Sequence, residues 1–448
     1  MGATPSYPYV VYSTPQGEVG EDPHLQALDA SGGPLLPGEL IPLPEGSTLA
    51  MLPQRLAAGL TAGGERMTVE AGLGWALAAL LPIGYTRLRM PAYELTGQSE
   101  PLPFFGYTAI AGYRGRIYAA AERTDQPARW LPSAFNAHRL KRLVEARLEA
   151  EPENRVLRQH AHCALEYHCP TASNLFFGRW EGAVAVSAGC NARCIGCISK
   201  QEEEQLVSPQ DRLLFRPTID EVVQVAATHL QSAPDAIISF GQGCEGEPLL
   251  QAHLIERSIR AIRSRTSEGV ININTNASNP RALQRLYEAG LDMLRASTIS
   301  ARHETYAAYY RPIGYSLADV KQSLQLAHAA GVYGSINLLC FPGLTDAEVE
   351  VEALLRFLRE AQVKLVQLRN LTIDPEVLLP RLPPELRPGS PDLGQALGMK
   401  TLIRTLRREL PEVEIGNFSR AVRRAPVATH VAAADGAPAR ESARPAAQ

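Results

Sequence analysis

The sequence predicts an α/β protein: a parallel sheet with right-handed crossovers, preceded by a mixed α/β domain and followed by a disordered tail. Three observations predict it. From Trp180 to about Pro375, short Val-, Ile- and Leu-rich runs alternate with longer segments of helical period. Residues 1 to about 135 are instead rich in Pro and Gly with short apolar stretches. The last stretch, Arg424 to Gln448, is dominated by Ala, Pro and Arg, and cannot bury enough apolar surface to order itself.

At 448 residues the chain exceeds one typical domain and suggests two, with ample material for a large core. Hydrophobic and charged fractions of 45% and 20% are ordinary for a soluble globular protein. The net charge of -3 gives no general affinity for nucleic acid or anionic membranes. No basic segment followed by an apolar one marks a secretory signal. The longest apolar stretch, Ala71 to Gly84, contains Pro82 and falls short of the roughly 20 residues that span a bilayer. It reads as a buried helix. Seven cysteines, an odd number with three clustered, suit metal binding in a reducing compartment better than a disulfide framework, so a cytoplasmic protein is expected.

In chain order, residues 1–135 make a domain of undeclared role, with helices at Leu52 to Ala62 and Met67 to Leu81 and a hairpin of Phe104–Tyr113 against Arg114–Glu122. Residues 136–179 read as a helical bridge, from the spacing of Leu140, Leu143, Val144, Leu148, Leu157, Cys163 and Ala164. This bridge also gathers His160, His162, Cys163, His168 and Cys169. No ligand spacing is recognisable among them, which favours a polar helix face with two small buried thiols over a second metal site. Over 180–375 the strands are Ala183–Ser187, Ala236–Phe240, Val270–Asn274, Asp292–Ser297, Val332–Leu339 and Lys364–Arg369. The intervening helices are Ile219–Leu230, capped by Thr218, then Leu254–Arg265, Pro280–Ala289, Ser316–Ala330 and Asp346–Ala361. An extension over 376–423 carries one more helix, from about Gln395 to Leu410, before the tail of 424–448.

The first of these strands runs into Cys190-Asn-Ala-Arg-Cys194-Ile-Gly-Cys197. Four thiolates are the usual ligands of an iron–sulfur cube, so three hold three irons and leave the fourth open. Three thiolates alone would also suit a non-catalytic zinc module, its fourth ligand a histidine between His160 and His168, or an iron–sulfur electron carrier.

In its context of a strand and later glycine-rich strand ends, the C-x3-C-x2-C spacing resembles the signature of the radical S-adenosylmethionine (radical SAM) superfamily. The resemblance covers about Trp180 to Pro375. It implies a partial (β/α)6 TIM-like barrel and a [4Fe-4S] cluster on Cys190, Cys194 and Cys197. The open iron would chelate S-adenosylmethionine, whose reductive cleavage gives a 5′-deoxyadenosyl radical that takes hydrogen from a substrate. The electron would come from a donor of flavodoxin or ferredoxin type. Gly246-Glu247-Pro248 resembles the family's glycine-rich glutamate motif, which assigns Glu247 to the methionyl amino group and the turn to Gly246 and Pro248; Glu245 competes for the role. By the same resemblance Asn274, Asn276 and Ser297 lie near the ribose or methionine carboxylate, and Asn337 and the strand end from Leu368 to Asn370 line the adenine pocket. Arg369 could face substrate, Arg311 an anion, and Cys244 and Cys340 the cavity as small buried residues. One departure stands out: Gly196 occupies a place where the family commonly has an aromatic residue, so adenine packing must be arranged otherwise. The resemblance leaves substrate and net reaction open.

Overall fold

The computed structural model, which describes residues 5–70, 74–97, 99–201 and 207–423, contains two sheets joined by helices. The first is antiparallel and comprises β1 (Tyr9–Ser13), β2 (Val19–Ala27), β3 (Leu40–Pro42), β4 (Thr48–Leu60), β5 (Arg66–Thr68), β6 (Trp75–Leu80), β7 (Tyr85–Arg87), β8 (Tyr93–Leu95), β9 (Tyr107–Tyr113) and β10 (Arg116–Arg123). Its path is β3-β10-β9-β6-β1-β2-β4-β5, with β7 attached to β10 and β8 to β4.

The expected β9–β10 hairpin is present, with Arg116 opposite Tyr113. The helices expected at Leu52–Ala62 and Met67–Leu81 are not. The first lies mostly in β4 and the described part of the second contains the end of β5 and all of β6; among the described residues this part of the chain contains no α-helix before residue 137. The physical reason is burial on both faces: Ala76 and Ala78 of β6 join one apolar cluster while Leu77 and Ala79 join another. A run covered on both sides shows no period of two, so its Ala and Leu content imitates a buried helix. Pro53 is accommodated where β4 shifts register against β6, between Leu52 and Leu56.

Three helices follow: α1 (Ala137–Ala150), α2 (Arg155–Leu165) and α3 (Pro170–Phe177). Asn136 and Asn154 cap the first two, each accepting a backbone N–H three residues on, at 2.9 Å.

The second sheet is parallel and has seven strands in sequence order: β11 (Glu181–Ala183), β12 (Ile237–Phe240), β13 (Val270–Thr275), β14 (Met293–Thr298), β15 (Tyr333–Cys340), β16 (Leu365–Asn370) and β17 (Glu414–Gly416). The crossovers carry α4 (Ile219–Ser232), α5 (Ala252–Arg265), α6 (Pro280–Ala289), α7 (His303–Tyr310), α8 (Leu317–Ala329) and α9 (Glu348–Glu360), and then α10 (Pro375–Leu378) and α11 (Met399–Glu409). The α4 start is a capping box of Thr218 and Glu221. At α6, Pro280 opens the helix and Gly290, at φ 111°, closes it.

Two expectations need correction here. The ladder of the first strand covers only Glu181–Ala183, and Val184–Ser187 continue beyond it. A seventh strand, too short at three residues to stand out in sequence, pairs Glu414 with Leu365.

Register fixes which side chains share a face. Ser239, Asn272, Asn274, Arg295, Ser297, Ser335, Asn337, Gln367 and Arg369 lie on one face of the sheet. That face is the concave one, because Arg295 on β14 reaches Glu181 on β11, three strands away, at 3.2 Å. Ser419, after β17, donates to the other oxygen of Glu181 at 2.5 Å and also meets Arg295. Trp180, Ile237, Val270, Met293 and Phe418 plug the floor. The opposite face, with Leu338, Cys340 and Leu368, packs into the main apolar core under the helices.

The antiparallel sheet sits against the end of β16. Arg87 donates to the carbonyls of Cys340 at 3.2 Å and Leu371 at 2.9 Å, while Asn370 accepts the Arg87 N–H and donates to Tyr85. The tail expected to be disordered, 424–448, lies outside the described residues. Among the described residues no helix is long and apolar enough to cross a membrane, and the described part of the Ala71–Gly84 run contains β6.

Candidate active site

The cysteine loop follows β11 and is held from two sides. The last carbonyls of a helix have no partner within it. At the end of α7, those of Tyr309 and Tyr310 accept the N–H of Ile195 at 3.0 Å and Arg193 at 2.9 Å. On the other side, Gly246 N–H donates to Ser187 and Glu247 N–H to Gly189. A Cβ on Gly246 would stand 1.9 Å from the Gly189 oxygen, so only glycine lets these two loops lie together. Gly241, at φ 76°, is equally confined, its Cβ position falling 1.7 Å from the Asn274 oxygen.

Cys190, Cys194 and Cys197 are partly exposed and line one cavity of about 1740 Å³, together with Ser199, Arg212, His303 and Arg311. Burial pushes the thiols of Cys190 and Cys194 upward, that of Cys194 well above its ordinary value. Arg212 brings positive charge to the third, with Nη2 3.5 Å from Cys197 Sγ and Nε donating to Ser199 Oγ at 3.2 Å. Among the described residues no three His, Cys, Asp or Glu side chains converge on a single ion site. Three thiolates lining one cavity are a donor set that a four-iron cube with one open iron can take.

The two glutamates of the second loop differ in surroundings. Glu245 accepts four backbone N–H groups, from Val186, Ser187, Gly241 and Gln242, and ties its loop to the end of the first strand. Glu247 accepts the N–H of Leu249 at 2.9 Å and of Asn276 at 2.8 Å, and the Thr275 hydroxyl. A carboxylate offers about four acceptor positions, so one remains on Glu247 Oε2. Burial raises both carboxyls to about 7, against the lowering effect of their donors.

Comparison with known proteins bears directly on this constellation. Residues 184–358 match the model described as the radical SAM superfamily, a span that starts at the end of β11 and runs into α9. This stretch of the chain matches the radical SAM superfamily. Members of the superfamily use a [4Fe-4S] cluster and S-adenosylmethionine. No curated protein matches it. Similar solved structures include a maturase of the [FeFe]-hydrogenase (14% identity, 63% of each chain covered, TM-score 0.38). Another is a radical SAM methyltransferase from Sphaerobacter thermophilus (17% identity, 52% of this chain and 64% of that one, TM-score 0.35). Methylornithine synthase is a third (14%, 62% and 74%, TM-score 0.36). The chain spans less than two thirds of the length of the first two.

Across the parallel sheet and the helices before it, the residues singled out from sequence are distributed as follows. Pro248 begins the short turn after Glu247. Asn276 donates from Nδ2 to Asn191 Oδ1 of the cysteine loop at 2.6 Å, joining the end of β13 to that loop. Asn274, Ser297 and Asn337 lie on the concave face; Asn274 accepts from Asn272 at 3.0 Å, and Ser297 is the register partner of Asn337. Leu368 is not a pocket residue. It lies on the outer face, fully buried, as the alternation of β16 requires once Gln367 and Arg369 face inward. Cys340 likewise points away from the lumen, and Cys244 is buried in the loop after β12. His160 accepts the Ala185 N–H at 3.1 Å, and His162 bonds Tyr167.

Sequence reasoning missed Arg212, Tyr309 and the Glu181–Ser419 link. For Tyr309 a signal existed: the glycine at position 196 and the tyrosine-rich helix Tyr306–Tyr310 are complementary. The Tyr309 hydroxyl stands 2.6 Å from where a Gly196 Cβ would be, and so fills space that a larger residue at 196 would need.

Proposed function

We propose that Cys190, Cys194 and Cys197 hold three irons of the cluster, and that the space between them and the concave ends of β13 to β15 receives S-adenosylmethionine. Bound there, the two cofactors supply one-electron reductive cleavage and hydrogen abstraction from substrate. The chain's own residues bind and orient. Glu247 offers its remaining acceptor position to the methionyl ammonium, with Gly246 and Pro248 shaping the turn that presents it. Asn274 and Ser297 face the ribose and carboxylate from the strand ends, Asn337 lies on the adenine side, and Asn276 keeps the cysteine loop in register with β13. The buried flank of Ile195, Tyr306 and Tyr309 keeps water from the loop's inner side. A donor of flavodoxin or ferredoxin type supplies the electron.

The observation that carries this reading is the convergence of three cysteines on one cavity beside a buried glutamate that retains an acceptor position. Anaerobic reconstitution tests it. The expected product is a brown protein with about four irons and four sulfides that forms 5′-deoxyadenosine on reduction, and a variant with all three cysteines changed to alanine should do neither. Full iron loading of that variant would overturn the assignment.

A further inference from the structure

The concave face of β14 to β16 holds more hydrogen-bond donors than the protein itself satisfies. Arg369, partly exposed, gives one side-chain hydrogen bond, from Nη2 to Gln367 Oε1 at 3.3 Å, and makes no ion pair among the described residues. A guanidinium carries five N–H donors, so most of them are not used by that one bond. The bond to Oε1 sets the Gln367 amide, and its Nε2, in a fully buried side chain, meets no acceptor. The register partner of Gln367 is Asn337, whose Oδ1 is also unpartnered; the partner of Asn337 on the next strand is Ser297. An asparagine amide can turn over, so Asn337 can present either of its ends.

The charge count on this face points the same way. Arg369 has two carboxylates in its surroundings, and both are already engaged: Glu181 by Arg295, Ser239 and Ser419, and Asp125 by Arg420 and the backbone N–H groups of Asn417 and Phe418. Burial, with repulsion from Arg295, lowers Arg369 only to about 10, so it is charged at neutral pH. A charged guanidinium in a lumen costs desolvation that a bound anion offsets, and its planar fork suits a carboxylate.

We propose that Arg369 and Gln367 form the seat of a carboxylate and that the substrate of this enzyme is a carboxylate-bearing small molecule, bound over β15 and β16 with Ser297 and Asn337 at its flank. The proposal rests on the reading of this cavity as the radical site. A second source of the same chemistry is the methionyl carboxylate of S-adenosylmethionine itself, and the test separates the two.

The full-length protein, reconstituted and loaded with S-adenosylmethionine, is examined by saturation-transfer NMR with acetate, succinate and benzoate, each against its amide. Calorimetry measures S-adenosylmethionine binding in parallel. At least one carboxylate should bind, with its amide and the Arg369→Gln variant each weaker by about tenfold or more, and Arg369→Lys intermediate. The dissociation constant for S-adenosylmethionine in Arg369→Gln should stay within about twofold of wild type. Absence of binding by all three carboxylates, equal binding by the amides, or undiminished binding in Arg369→Gln overturns the proposal. A loss of about tenfold in S-adenosylmethionine affinity in that variant assigns the guanidinium to the cofactor instead and also overturns it. If Arg369→Gln does not fold, Gln367→Leu serves, since it removes the second donor and keeps the buried bulk. Carboxylate binding without 5′-deoxyadenosine formation by the wild type would sink the radical-site reading and not the seat; the converse would sink the seat alone.

Discussion

Arg55 of the antiparallel sheet and Asp374, the cap of α10 beyond the parallel sheet, form an ion pair at 2.7 Å with both side chains at most 1% exposed. Asp374 also accepts the Leu102 N–H at 2.7 Å, so one carboxylate fastens two segments of the first sheet to the rim of the second. Removing one member of such a pair leaves an unpaired buried charge. Arg55→Ala or Asp374→Ala should each lower unfolding stability by about 3–5 kcal/mol, and Arg55→Met with Asp374→Leu by clearly less than their sum. Chemical denaturation followed by circular dichroism measures it.

Gly246→Ala should disturb cluster loading more than folding. Its Cβ meets the backbone of Gly189, which cannot yield without moving Cys190. Reconstituted iron should fall by about half or more, a core-type overpacking effect confined to one loop. Gly38→Ala, where an added Cβ meets nothing, should leave iron content unchanged.

The Gly196–Tyr309 complementarity predicts a paired behaviour. Gly196→Phe alone should collide with the tyrosine and lose iron on gel filtration. Adding Tyr309→Ala should restore retention in the double variant, because the two positions share one space.

His160 is fully buried, and burial lowers its imidazole to about 4 from an ordinary value near 6.5. The neutral ring accepts the Ala185 N–H. A lowered histidine contributes stability that is fully present above the unfolded value and lost as pH falls toward about 4, here up to about 3 kcal/mol. Glu245 and Glu247, raised to about 7, act in the opposite sense and lose their contribution as pH rises through that value. The two effects overlap between them. The stability difference between wild type and His160→Gln isolates the first, and should shrink as pH falls from 7 to about 4.5.

The first six strands of the parallel sheet were legible because they alternate with helices that carry their own punctuation: Thr218 before α4, Pro280 and Gly290 around α6, Gly331 after α8. The cysteine loop was legible from its spacing read together with the strand before it and the glycine-rich strand ends after it. Of the antiparallel sheet only the β9–β10 hairpin was legible, because strands such as β6 are covered on both sides and carry no alternation to read. Leu368 was misjudged for a related reason: a strand end names a neighbourhood, and only its register against β15 decides that Gln367 and Arg369, not Leu368, face inward. Arg212 and Tyr309 escaped because they approach the cysteines from sequence positions 15 and 112 residues beyond Cys197, and no local pattern encodes that meeting.

The bond from Ser419 to Glu181 joins residues 238 positions apart. During synthesis β11 through β16 can leave the ribosome and pair in order, yet the floor beneath Arg295 stays open until the final short strand and its serine emerge. A nascent chain therefore has its three thiols outside the tunnel well before it has a sealed chamber, and the enclosure that would confine a radical waits for β17 and Ser419 to follow.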